Sequence, residues 1–99
     1  MKIYTDKQLT QEIVDNILDL GILFAGKTKQ YKFWVFNDSK AFLQDLEFIA
    51  NHREVKVIHA PITLDAHMSD ELILEWTPSV TLKEGLKTIL HVKGIELWG

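Results

Sequence analysis

The stretch Lys29-Gln30-Tyr31-Lys32-Phe33-Trp34-Val35-Phe36-Asn37-Asp38-Ser39 decides the fold. Tyr31, Phe33 and Val35 recur with the period of two that a strand imposes, and Lys32, Trp34 and Phe36 fall on the opposite face. Only one of these faces can be the ordinary core. The other carries two large aromatics, which a small domain seldom shows to water without a use for them. Asn37, Asp38 and Ser39 end the run, because their side chains bond nearby backbone and favour turns. The spacing therefore predicts a central strand with an apolar outer face.

The neighbouring stretches read in the same way. Residues 17–25 are β-branched and apolar enough for a strand, closed by Gly26. Upstream, Ile13, Ile17 and Leu20 also recur at helical spacing with Gly21 placed as a C-cap, so a helix from Thr10 competes with a strand from Ile17. The strand is preferred. Downstream, Leu46, Phe48 and Ala50 alternate with Asp45 and Glu47, and a short strand at 54–59 turns Val55 and Val57 inward before Pro61. Leu72, Leu74 and Trp76 alternate with Ile73 and Glu75 up to Pro78. After Gly85, Leu86, Thr88, Leu90 and Val92 oppose Lys87, Ile89, His91 and Lys93, with a bend expected at Gly94. Six or seven strands at about ten-residue spacing predict an all-β, antiparallel, immunoglobulin-like β-sandwich. Residues 1–16 form an N-terminal segment, an edge strand or a cover, and residues 17–99 the sandwich domain.

Composition narrows the function classes. A chain of 99 residues can bury roughly 60–70% of its unfolded surface in one core. It has no cysteine, so no disulfide framework. Eleven basic against 14 acidic residues give a net charge of −3, which argues against a nucleic-acid surface. No apolar run reaches the ~20 residues of a membrane helix. The expectation is a soluble protein, cytoplasmic at synthesis, with no membrane and no nucleic acid among its partners.

Leu18-Asp19-Leu20-Gly21, Gly26, the strand ending in Asn37, then Glu75-Trp76-Thr77-Pro78 and Gly85 form a pattern. It resembles the small immunoglobulin-like domains of the abnormal-spindle, Hydin and major-sperm-protein type, which also occur in bacterial and tailed-phage proteins. The likeness spans residues 17–95. It implies a domain that holds on to other proteins, and a structural role that extends to an accessory or decoration component of a virion. Residues 1–16 lie outside the pattern, and Trp34 and Phe36 depart from its mixed polar surface.

The residues suggest no catalytic chemistry. His52, His59, His67 and His91 lack metal-ligand spacing and have no cysteine to join them, so neither metal nor cofactor is expected. Asp45 and Glu47 on one strand face suit a solvated edge better than an acid–base pair. Ser39 has no nucleophile context. The reading is a non-enzymatic structural or interaction protein whose candidate protein interface is Trp34, Phe36 and Ile73. Two covers compete for that face: residues 1–16 of the same chain, through Ile3, Tyr4, Ile13 and Val14, or another protein chain, a copy of itself included.

Overall fold

A computed structural model describes Met1–Gly99. Seven strands follow in order: β1 (Lys2–Tyr4), β2 (Ile17–Gly21), β3 (Lys29–Phe36), β4 (Phe42–Ala50), β5 (Val55–His59), β6 (Ser69–Trp76) and β7 (Leu86–Leu97). A single 3-10 turn, Val14–Asn16, precedes β2. The strands form two antiparallel sheets, β1-β3-β6-β5 and β2-β7-β4. Their inner faces make one core in which Leu18, Val35, Leu72, Leu74, Trp76 and Leu90 are almost wholly removed from water. The chain is an all-β sandwich. With β2 counted as a continuation of β1, the first sheet has the immunoglobulin strand order, and β2 stands beside β7 where such domains place their last strand.

The central strand has the expected register. Phe33 lies opposite Leu72 and Tyr31 opposite Leu74 on the inner face, while Trp34 lies opposite Glu71 and Lys32 opposite Ile73 on the outer face. The strand preference at Ile17 also holds, but β2 is shorter than 17–25. Its ladder ends at Gly21, after a register shift between Asp19 and Gly21. Gly21 has φ +70 and donates its N–H to the Asp19 carboxylate at 3.0 Å, a bend that carries the chain out of one sheet toward the other. Gly85 packs its Cα against that bend. A Cβ there would sit 2.8 Å from the Gly21 carbonyl oxygen, so no other residue fits.

β7 runs unbroken through Gly94, from Leu86 to Leu97. Gly94 makes room there: a Cβ on it would meet Leu46 Cδ2 at 2.7 Å. The irregularity lies across the ladder in β4, where the register shifts between Gln44 and Glu47 and Asp45 takes φ +52. This bulge interrupts the period of two, so Leu43 and Leu46 both reach the core. His59, at the end of β5, is exposed.

The N-terminal segment enters the first sheet rather than lying across it. Ile3 opposes Val35 and sinks into the core, and Tyr4 opposes Trp34. The chain then turns back, with Thr5 N–H donating to the Gln11 carbonyl and Ile13 N–H to the Ile3 carbonyl. The free edge of β1 is thereby covered.

Candidate functional site

Trp34, Phe36 and Ile73 share the outer face of the β1-β3-β6-β5 sheet. Antiparallel pairing makes Trp34 and Ile73 diagonal neighbours, and Phe36 follows Trp34 two residues on. β1 adds a fourth apolar side chain, Tyr4, whose ring stands edge-on to Phe36 with centroids 6.5 Å apart. All four are half-buried rather than exposed. Charged pairs flank the patch, Lys32 with Glu71 at 3.7 Å and Lys2 with Glu12 at 3.9 Å. Of the two covers weighed for this face, Tyr4 supplies a partial one from inside the chain. Val14 stands in solvent, and Ile3 and Ile13 pack toward the core instead.

A second apolar row escaped the sequence reading. On the outer face of the β2-β7-β4 sheet, Ile17 is directly opposite Ile89, and Ile49 is opposite His91. All three isoleucines are exposed. The signal was available, since Ile89 interrupts a polar alternation with Lys87, His91 and Lys93. Its pairing with Ile17 could not be read, because the two are far apart in the chain.

The polar groups serve the loops. Asp6 accepts hydrogen bonds from the backbone N–H groups of Thr10 and Gln11 and from the Thr10 hydroxyl. The Thr10 hydroxyl, with those backbone donors, holds the Asp6 carboxyl below its ordinary range. Glu54 is likewise lowered by its bond to Ser79, whose N–H it accepts at 3.1 Å. His52 accepts the Glu54 N–H through Nδ1 at 3.2 Å, and His59, His67 and His91 are exposed. No three His, Asp or Glu side chains come together as a metal site would require. No helix is long and apolar enough to cross a membrane.

A depressed carboxyl stabilises the fold above its unfolded pKa, and that contribution is lost as pH falls through the folded value. Asp6→Ala is therefore expected to melt below the parent at pH 7. The gap should close as pH drops below about 4, the ordinary aspartate range. Paired thermal melts from pH 7 to pH 2 measure it. A gap independent of pH would mean that the Asp6 charge contributes nothing.

A cleft of about 330 Å³ opens between the sheets along β7, with Ile3, Leu43, Leu46 and Val92 among its apolar walls and Asn16 and Asn37 among its polar ones. Beside it the edge of β7 that faces away from β4 is bare beyond Leu90. β2 pairs only with residues 86–89, and the Leu90 carbonyl accepts a bond from Asn16 Nδ2 at 3.3 Å. Comparisons with protein-family models, with curated protein sequences and with solved structures yield no match for this chain. The arrangement defines an all-β sandwich with apolar outer surfaces.

Proposed function

We propose that the protein is a non-enzymatic structural or interaction domain that docks on other protein through the outer face carrying Trp34, Phe36 and Ile73. The supporting observation is that patch itself: aromatic side chains on the solvent side of a sheet, joined by Tyr4 and rimmed by opposite charges. An apolar centre with a polar rim is the usual anatomy of a protein interface, and aromatic residues are enriched in it. The resemblance to abnormal-spindle, Hydin and major-sperm-protein domains supports the same role. Within it, an accessory or decoration component of a phage virion is the particular reading proposed. Many copies on a particle make individually weak contacts sufficient.

A second reading is an intracellular adaptor or inhibitor that grips its partner through the aromatic face or a sheet edge; the bare edge of β7 favours the latter route.

Trp34→Ser combined with Phe36→Ser tests the docking face. The expected result is a domain that still folds, by circular dichroism, but no longer incorporates into particles or binds its partner. Unfolding of the double variant would make the patch a purely internal packing surface. Normal folding with normal incorporation would place the docking site elsewhere.

A further inference from the structure

The edges of the two sheets are not treated alike. β1 is covered by residues 11–13, and β4 accepts and donates backbone bonds to Ile62 and Leu64 through Leu43 and Leu46. β2 and β5 are short, at 5 residues each. β1 covers β3 only at Trp34–Phe36, so β3 is also bare over Lys29–Phe33, a stretch that carries Lys29 and Lys32. The longest bare run is in β7, from Val92 to Leu97, in a strand of 12 residues. An edge of this kind is a template for another strand unless charge, proline or a bulge blunts it. Here the bulge lies in β4, on the far side, and β7 contains no proline. The run carries one charge of each sign, Lys93 and Glu96, beside exposed apolar side chains: Ile95 is 48% exposed, Leu97 45% and the adjoining Trp98 66%.

The backbone phase says which groups are free. The Ile89 carbonyl points toward the β4 side, where it accepts from Asn51 N–H at 3.0 Å, and the Leu90 carbonyl points toward Asn16. Even-numbered residues of β7 therefore turn their N–H and C=O groups to the bare edge, and Val92, Gly94 and Glu96 offer them unpaired.

We propose that this edge pairs antiparallel with the same edge of a second copy of the chain, about a twofold axis at Ile95. This rests on reading the protein as one that binds protein, and it names one partner. A twofold antiparallel pair must place one residue opposite itself. An axis at Lys93 would set ammonium against ammonium. An axis at Gly94 would bring Trp98 of the second copy to Leu90, whose carbonyl Asn16 already occupies. An axis at Ile95 avoids both. It sets Ile95 against Ile95, Lys93 against Leu97 and Val92 against Trp98 of the second copy. The seam joins β4-β7 to its copy as one continuous sheet, and Trp98 closes over the mouth of the cleft beside Val92.

The test uses the full chain at rising concentration in sedimentation equilibrium. The parent is expected to dimerise reversibly. Ile95→Lys, which sets two like charges directly opposite, should weaken the dimer about tenfold or more with the melting temperature of the monomer unchanged. Because the chain has no cysteine, Ile95→Cys gives a clean second readout. The two Cα atoms of a non-hydrogen-bonded pair lie about 4.5 Å apart, within reach of a disulfide. Mild oxidation should cross-link it much faster than Val80→Cys, which is exposed in a loop elsewhere. A parent that stays monomeric to about millimolar concentration, far above the range of specific association, overturns the proposal. So does a dimer indifferent to Ile95→Lys, or equal cross-linking of the two cysteine variants. The Trp34→Ser, Phe36→Ser variant should keep this dimer. If that variant loses self-association while Ile95→Lys retains it, the self-pairing is wrong and the aromatic face stands.

Discussion

Trp76→Ala is expected to cost about 3–5 kcal/mol, as large aromatic truncations in close-packed cores do. Trp76 has no solvent exposure. It ends β6, the strand between β3 and β5, where it lies opposite Lys29 on one side and Val55 on the other. Its ring fills space under both sheets, and alanine would leave a cavity that the paired strands on either side cannot collapse into. A domain of this size has roughly 5–15 kcal/mol in total, so the variant should lose a large part of its stability. At about 4–8 °C per kcal/mol, the melting temperature should fall by more than about 12 °C. Trp76→Phe is the informative companion. The indole Nε1 is buried with no acceptor among the protein groups, so phenylalanine removes an unpaired polar atom while keeping most of the apolar area, and its loss should be smaller than that of alanine. Urea titration and thermal melting measure both. A Trp76→Ala protein melting within a degree of the parent would refute the packing described for β6.

Asn37→Leu should lose about 2–6 kcal/mol, although it changes a polar residue to an apolar one of similar size. Asn37 is 1% exposed, and its hydrogen-bonding groups are bound to five other residues. Its amide donates to the Ala41 carbonyl at 2.8 Å and the Leu64 carbonyl at 3.1 Å. Its side-chain oxygen accepts from Ser39 N–H at 3.0 Å and the Ser39 hydroxyl at 2.7 Å. Its backbone N–H donates to the Met68 carbonyl and its carbonyl accepts from His67 N–H. Leucine would leave the Ser39 N–H without a partner and the Ala41 carbonyl with only the long Ser39 hydroxyl contact at 3.5 Å, and each buried polar group so deprived costs about 1–3 kcal/mol. The Leu64 carbonyl would suffer less, because it also accepts from Leu43 N–H.

Asn37→Asp separates the hydrogen-bond account from one of shape. The new carboxyl would face two carbonyl oxygens where the amide now donates, which favours its protonated form and raises its folded pKa. Stability is then retained below the unfolded pKa and lost as pH rises through the folded one. The aspartate variant should therefore melt closer to the parent at pH 4 than at pH 7. A constant deficit across that range would mean that the amide protons at residue 37 do not hold the loop.

The two apolar surfaces and the bare edge of β7 give the molecule different ways to meet protein. The aromatic face is rimmed with charge and partly shielded by Tyr4, which suits reversible docking of a preformed surface. The β7 edge offers backbone groups whose pairing needs an extended partner, whatever its side chains. The variants at Trp34 with Phe36 and at Ile95 read these two routes separately.

Local order was legible in the residues themselves. The inward and outward sets of β3, β6 and the first half of β7 follow from alternation alone, because a strand's side-chain period is fixed by backbone geometry. The closing role of Asn37 and the turn at Gly26 follow from what those residue types can do. Alternation could not anticipate the bulge at Asp45, where a register shift across the β4–β7 ladder lets Leu43 and Leu46 both point inward. Nor could it show that Gly94 is small because Leu46 lies over it, or that Gly85 must touch the backbone of Gly21. Those contacts join residues far apart in sequence, and they exist only once the sheets are paired. The exposure of the outer aromatics was decided in the same way. β3 alone sends Trp34 and Phe36 outward, but the pairing of β1 with β3 sets Tyr4 beside them, leaving them half-covered. The bare edge of β7 is the clearest tertiary result: a strand's own residues say which faces are apolar, and only the order of its neighbours says which of its hydrogen bonds are left unmade.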